Sequence, residues 1–148
     1  MNDNELINTR IIDAPREKVF EAWTDQAHIG EWFGPDGFTT TTQHMDVRPG
    51  GEWRSIMTGP DGTEYKNIIK YLEVQKPERL LLAYNDTPEH NLKEFSAEVT
   101  FEDAGEGKTK LTLRHIFLNA EERMKQEGIG AVEGGNQTLN RLEKYLAK

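Results

Sequence analysis

The spacing of apolar positions changes along the chain, and each change predicts an element. Ile7, Thr9 and Ile11 share one face of an alternating run from Glu5 to Asp13, and Asp13-Ala14-Pro15 stops it. That pattern predicts a strand feeding a helix. Pro15 suits a first helical turn, with Val19, Phe20 and Trp23 behind it at three- and four-residue spacing. A second short turn, capped by Thr24 or Asp25, carries Ile29, Trp32 and Phe33 before Gly34-Pro35-Asp36-Gly37 ends it.

From Phe38 to Phe117 the chain reads as six strands divided by turn chemistry: Pro49-Gly50-Gly51, Gly59-Pro60-Asp61-Gly62, Lys76-Pro77-Glu78, Asn85 to Asn91, and Ala104 to Gly107. The clearest alternation sets Phe95, Ala97, Val99 and Phe101 against Ser96, Glu98, Thr100 and Glu102. Leu111, Leu113, His115 and Phe117 then stand against Lys110, Thr112 and Arg114. Two such strands make a hairpin with one wet face. Connections this short predict an antiparallel sheet, seven-stranded with the N-terminal strand.

The last element starts at Asn119, which can cap a helix while Glu122 returns the bond. Ile129, Val132, Leu139, Leu142 and Leu146 lie along one helical face, but the stripe is interrupted at Gly134-Gly135-Asn136. Each helical glycine costs about 1 kcal/mol relative to Ala. Either the helix breaks or starts late, or the missing side chains leave room against the sheet. An antiparallel sheet with one apolar face needs a cover, and this helix is the element long enough to supply it. The predicted class is therefore α+β, with a cavity between sheet and helix of roughly 300 to 1,000 Å³, as in ordinary ligand sites.

Composition narrows the function. A chain of 148 residues has the size of one domain, taken here as 1–148. Eighteen basic against 26 acidic residues give a net charge of −8, the wrong sign for a nucleic-acid partner. The absence of cysteine removes disulfides, thiolate zinc sites and a cysteine nucleophile. With no export signal and no apolar run of about 18 residues to span a bilayer, the expected address is the cytoplasm. Asn85-Asp86-Thr87 and Asn136-Gln137-Thr138 are then chance matches to the glycosylation pattern.

Six segments carry a resemblance. Ile12-Asp13-Ala14-Pro15-Arg16-Glu17-Lys18-Val19-Phe20-Glu21-Ala22-Trp23-Thr24, Trp32-Phe33-Gly34-Pro35, Asp46-Val47-Arg48-Pro49-Gly50-Gly51-Glu52-Trp53, Gly59-Pro60-Asp61-Gly62, Pro77-Glu78-Arg79-Leu80 and Leu139-Asn140-Arg141-Leu142 together resemble the AHSA-like family of the START-like (SRPBCC) superfamily. The resemblance implies a helix-grip fold, a curved seven-stranded sheet wrapped around a long C-terminal helix with two short helices after strand 1. It also implies two of the superfamily's roles as expectations: binding a hydrophobic, lipid-like or aromatic small molecule, or acting as a chaperone-associated accessory factor. Many relatives carry Trp about where Gly135 stands and a larger residue in place of Ser55, which predicts a roomier interior here. The chaperone activator also has a separate N-terminal domain with no counterpart in this sequence, so direct ATPase stimulation is not expected.

Catalytic signatures are absent: there is no Gly-x-Ser-x-Gly, phosphate-binding loop or His-Glu-x-x-His. The only serines are Ser55 and Ser96, and His28, His44, His90 and His115 lack mutual ligand spacing. No metal or cofactor is expected, and no residue is assigned a catalytic role. His115 stands out because its strand neighbours point it inward, as a core residue, a ligand anchor, or the acid and base of a cyclase- or hydrolase-like site. If Met45 and Val47 face in, Thr41 and Gln43 do too. The candidate cavity residues are thus Trp32, Phe33, Thr41, Gln43, Trp53, Ser55 and Met57 from the first half of the chain. From the second half come Tyr84, Phe95, Val99, Leu113, His115, Gly135 and Leu139.

Overall fold

A computed structural model describes residues 3–84, 95–128 and 130–147. His90, Ile129 and Asn85-Asp86-Thr87 lie outside the described residues. In chain order the elements are β1 (Glu5–Ile12), α1 (Arg16–Thr24), α2 (Gln26–Ile29), β2 (Thr39–Met45), β3 (Glu52–Thr58), β4 (Glu64–Gln75), β5 (Arg79–Tyr84), β6 (Ser96–Gly105), β7 (Lys108–Ile116), α3 (Ala120–Gly128) and α4 (Ala131–Leu146). The strands form one antiparallel sheet in the order β1-β7-β6-β5-β4-β3-β2, with β1 and β2 at its edges. This is the helix-grip arrangement. None of the helices among the described residues is long and apolar enough to cross a membrane.

Local chemistry explains most boundaries. Pro15 sits one place earlier than expected, as the N-cap of α1 in extended geometry, and its carbonyl accepts from Lys18 and Val19. Asp25 caps α2 by accepting from the Ala27 amide at 2.8 Å, while the Thr24 hydroxyl turns back to the Phe20 carbonyl. At the start of α3, Asn119 Oδ1 accepts from the Glu122 amide at 2.9 Å, one half of a capping box. The terminal helix is broken. Gly130 has φ +93°, a left-handed conformation that glycine adopts without strain, and α3 and α4 separate there.

Each strand buries one face. In β6 and β7 the inward set is Ala97, Val99, Phe101, Leu111 and Leu113, as the alternation predicts. In β1 the face of Ile7, Thr9 and Ile11 points to solvent, and Leu6, Asn8 and Ile12 turn inward. β1 thus reaches α4 through polar groups: the Asn8 amide donates to the Val132 carbonyl and Asn136 Oδ1, and Arg10 pairs with Glu143 at 2.7 Å. The second half of α4 packs solidly, with Leu139 and Leu142 fully buried beside Val99, Phe101 and Leu111 in one core. Trp23 anchors the other end of that core in edge contacts with Trp32 and Phe33, at 4.8 and 6.0 Å between ring centroids.

Candidate functional site

The first half of α4 does not pack solidly. Between Ala131, Gly134, Gly135 and Thr138 on that helix and the inner face of β4 to β7 lies a half-enclosed cavity of about 240 Å³. Its sheet wall carries Asn67, Leu82, Tyr84, Ala97, Leu113 and His115, with Phe95 and Phe117 beside them. Trp23, Phe33, Gly34, Pro35, Met57 and Gln126 close the rest. The volume falls below the expected range because aromatic rings from α1, the α2–β2 loop and the strand ends fill much of the space the glycines leave.

His115 stands on the wall between Leu113 and Phe117. Its ring stacks on Phe95 at 5.4 Å with 19° between planes, and Phe95 in turn stacks on Phe117 at 4.9 Å and leans on Tyr84 at 4.7 Å. Burial pushes the imidazole pKa down to about 4 and the Tyr84 phenol up to about 12, so both are neutral across the physiological range. Among the described residues no hydrogen bond engages the His115 ring or the Asn67 amide. The surface His115 retains is therefore the surface it turns to the cavity.

Of the residues singled out from sequence, Phe33, Met57, Tyr84, Phe95, Leu113, His115 and Gly135 meet here. The others do not. Trp32 and Trp53 are fully buried in the core, held by indole hydrogen bonds to the Ala22 carbonyl and the Thr42 hydroxyl. Val99 and Leu139 belong to the same core. Ser55 is buried on the inner face of β3 outside the lining, and its Oγ has no partner. Thr41 and Gln43 are exposed, because a β-bulge between Thr42 and His44 shifts the register by one residue. Such an inserted residue turns Thr40 and Thr42 inward while Met45 keeps its side.

Gly135 borders the cavity, yet the gap in the stripe at that position is already filled. A Cβ on Gly135 would meet Asn8 Oδ1 at 2.5 Å, whereas a Cβ on Gly134 would meet nothing within 4 Å. The open glycine is the preceding one. Asn67 and Gly134 are the cavity-lining positions least visible from sequence. An asparagine within a strand pattern hints at a buried polar contact, and that signal was available at Asn67.

A second side-chain cluster lies at the far end of α1. Glu21, Asp25 and His28, spaced i, i+4 and i+7, bring their ligand atoms within 4.8 Å of one another, although the histidines among themselves show no such spacing. His28 Nε2 is 3.3 Å from Glu21, and Nδ1 is 2.5 Å from the Tyr145 hydroxyl. Both carboxylates are largely solvated.

The family described as activator of Hsp90 ATPase homolog 1-like proteins matches residues 13–147. The chain belongs to this family. Among solved structures of this fold, a protein from Nitrosomonas europaea superposes with a TM-score of 0.87 at 25% identity, over 98% of this chain and 95% of its own. One from Staphylococcus epidermidis gives 0.86 at 26% identity, over 99% and 92%. An AHSA1 protein from Silicibacter pomeroyi, at 24% identity and a TM-score of 0.75 over 97% of each chain, shares the fold. No curated protein matches the chain. Two of the segments that carry the resemblance meet at the cavity rim, where Arg141 of α4 donates to the carbonyls of Gly34 and Pro35 at 2.8 and 3.0 Å.

Proposed function

We propose that the chain binds a compact, mostly apolar small molecule in the cavity between the sheet and the first half of α4. The observation that carries this reading is the division of α4 itself. Its leucine half is packed shut, while its glycine half faces a largely apolar hollow lined by the His115 ring, which among the described residues makes no hydrogen bond. An apolar cavity of about 150 Å³ admits benzene, so about 240 Å³ suits one or two rings and is short of a long lipid chain. Fluorescence titration with 2-naphthol tests the reading, using Gly134→Phe to fill the open side of the helix. Saturable binding by the wild type, weakened at least tenfold in a variant of unchanged melting temperature, is expected. No binding, or equal binding by both proteins, overturns it.

The accessory-factor reading has separate support. The family description names an Hsp90 ATPase activator, and Ile7 and Ile11 are exposed at 40% and 52% on the outer face of edge strand β1. Saturable binding of the chain to purified Hsp90, lost in an Ile7→Ser, Ile11→Ser variant, would favour it, and no binding would count against it. The enzymatic reading gains less. Among the described residues no carboxylate lines the cavity to orient His115, and an imidazole with a pKa of about 4 is a weak base at neutral pH.

A further inference from the structure

Besides the Tyr84 phenol on β5 and Gln126 and Thr138 on the helical side, two polar side chains stand at opposite ends of the sheet wall. Asn67 is on β4 and His115 on β7, three strands apart in the sheet order. At the usual strand spacing that is about 14 Å between backbones, less between side chains converging on a curved inner face. Leu82 and Ala97 lie on the two strands between them, and Phe95 stacks on the His115 ring. The wall is thus mainly apolar and aromatic in the middle, with the Tyr84 phenol its one polar group there among the described residues, and carries an amide and an imidazole at its ends.

Asn67 is only 4% exposed and lines the cavity. Ser55 stands directly opposite it in the β3–β4 register, yet Ser55 Oγ has no partner, so the serine does not satisfy the amide. The Asn67 amide makes no hydrogen bond among the described residues, and a ligand atom that accepts or donates there adds one. The second end is His115, whose neutral ring offers one donor and one acceptor.

Charge is the other half of the argument. Of this chain's residues 30% are Asp, Glu, Lys or Arg, yet among the described residues none of these lines the cavity. An ionised ligand entering it would lose its hydration shell and meet no counter-charge on these lining residues. An uncharged molecule of the same size loses far less and can still use both polar ends.

Resting on the ligand-binding reading above, we infer that the cavity takes an uncharged one- or two-ring aromatic molecule bearing a hydroxyl or carbonyl, anchored at His115 or Asn67, and rejects the carboxylate of equal size. The test compares naphthalene, 2-naphthol and 2-naphthoate on the purified chain at pH 7.5, followed by calorimetry and fluorescence. The expected order is 2-naphthol tightest, naphthalene several-fold weaker, and 2-naphthoate at least tenfold weaker than 2-naphthol. His115→Leu or Asn67→Leu should erase the advantage of 2-naphthol over naphthalene while leaving naphthalene binding in place. Equal binding of 2-naphthoate and 2-naphthol, or an undiminished 2-naphthol advantage in both variants, overturns the inference while leaving a ligand cavity. If none of the three binds the wild type, the ligand-binding reading fails with it. Should either variant misfold, the ranking of the three probes on the wild type decides the inference alone.

Discussion

Asn8 of β1 stands where a side chain on Gly135 of α4 would begin: a Cβ built there lies 2.5 Å from Asn8 Oδ1. The asparagine amide already donates to the Val132 carbonyl at 3.2 Å and to Asn136 Oδ1 at 3.1 Å, so it has little freedom to retreat. The glycine is what lets the edge strand and the helix approach through hydrogen bonds.

Gly135→Ala is therefore expected to destabilise despite its better helix propensity. Displacing Asn8 forfeits two hydrogen bonds worth about 1 kcal/mol each, against a gain of about 1 kcal/mol from replacing helical glycine. A net loss of about 1 kcal/mol should follow. Gly134→Ala meets open space and should gain most of that 1 kcal/mol. Denaturant melts of the two variants check the contrast, and stabilisation by both would remove the close-approach argument.

Protonation of His115 sets a second expectation. Its folded pKa is about 4, below the ordinary value of 6.5, because burial disfavours the charged ring. Between those values the unfolded chain binds a proton that the folded chain does not, so stability rises with pH through that window and falls on acidification. Below about pH 4 both states are protonated and this contribution levels off. The full shift corresponds to about 3 kcal/mol. His115→Leu should flatten the stability profile between pH 6.5 and 4 relative to wild type, and parallel profiles would count against a buried neutral ring.

On the outer face of the sheet, ion pairs run across five strands. Glu73 on β4 pairs with Arg79 on β5, which meets Glu98 on β6 at 2.5 Å. Arg114 on β7 joins Glu98 at 3.2 Å to Glu5 on β1 at 3.3 Å. Glu5 is the most buried of these carboxylates, with its side chain 6% exposed. Arg114→Met strands it and should cost about 2 kcal/mol, because a buried acceptor left without its partner loses the contact and keeps its desolvation cost. Glu5→Gln in the same chain should recover part of that loss. An additive double-mutant cycle would show that the two side chains do not interact.

How much of this was legible from sequence varied with the signal. The β6–β7 hairpin was plain because apolar and charged residues alternate without a break, and that alternation carried His115 to the cavity wall. In β1 the alternation shows that Ile7 and Ile11 share a face but not which way it points, and this edge strand leaves that face outside and turns Asn8 toward the helix. In β2 the run Thr39 to Thr42 has no polarity contrast to reveal the bulge after it, which put Thr41 and Gln43 on the wrong face. The glycine interruption was visible, but only the backbone shows that Gly130 breaks the helix, Gly135 admits Asn8 and Gly134 faces the hollow.

Arg141 supplies the last expectation. Its guanidinium donates to the carbonyls of Gly34 and Pro35, and Gln137 accepts from the Asp36 amide at 3.0 Å, so α4 holds the α2–β2 loop at three backbone groups. Two of the three residues held, Gly34 and Pro35, line the cavity rim. Arg141→Met keeps the aliphatic stem that packs along the helix and removes both donors. Charge-assisted hydrogen bonds of this kind contribute about 1.5 to 3 kcal/mol, and here their loss falls on the loop. Amide hydrogen exchange over residues 33–38 should accelerate well beyond any change at β6 and β7, and 2-naphthol should enter and leave faster with a smaller change in affinity. Uniform acceleration across the sheet would mean that Arg141 supports the whole fold, not the rim alone.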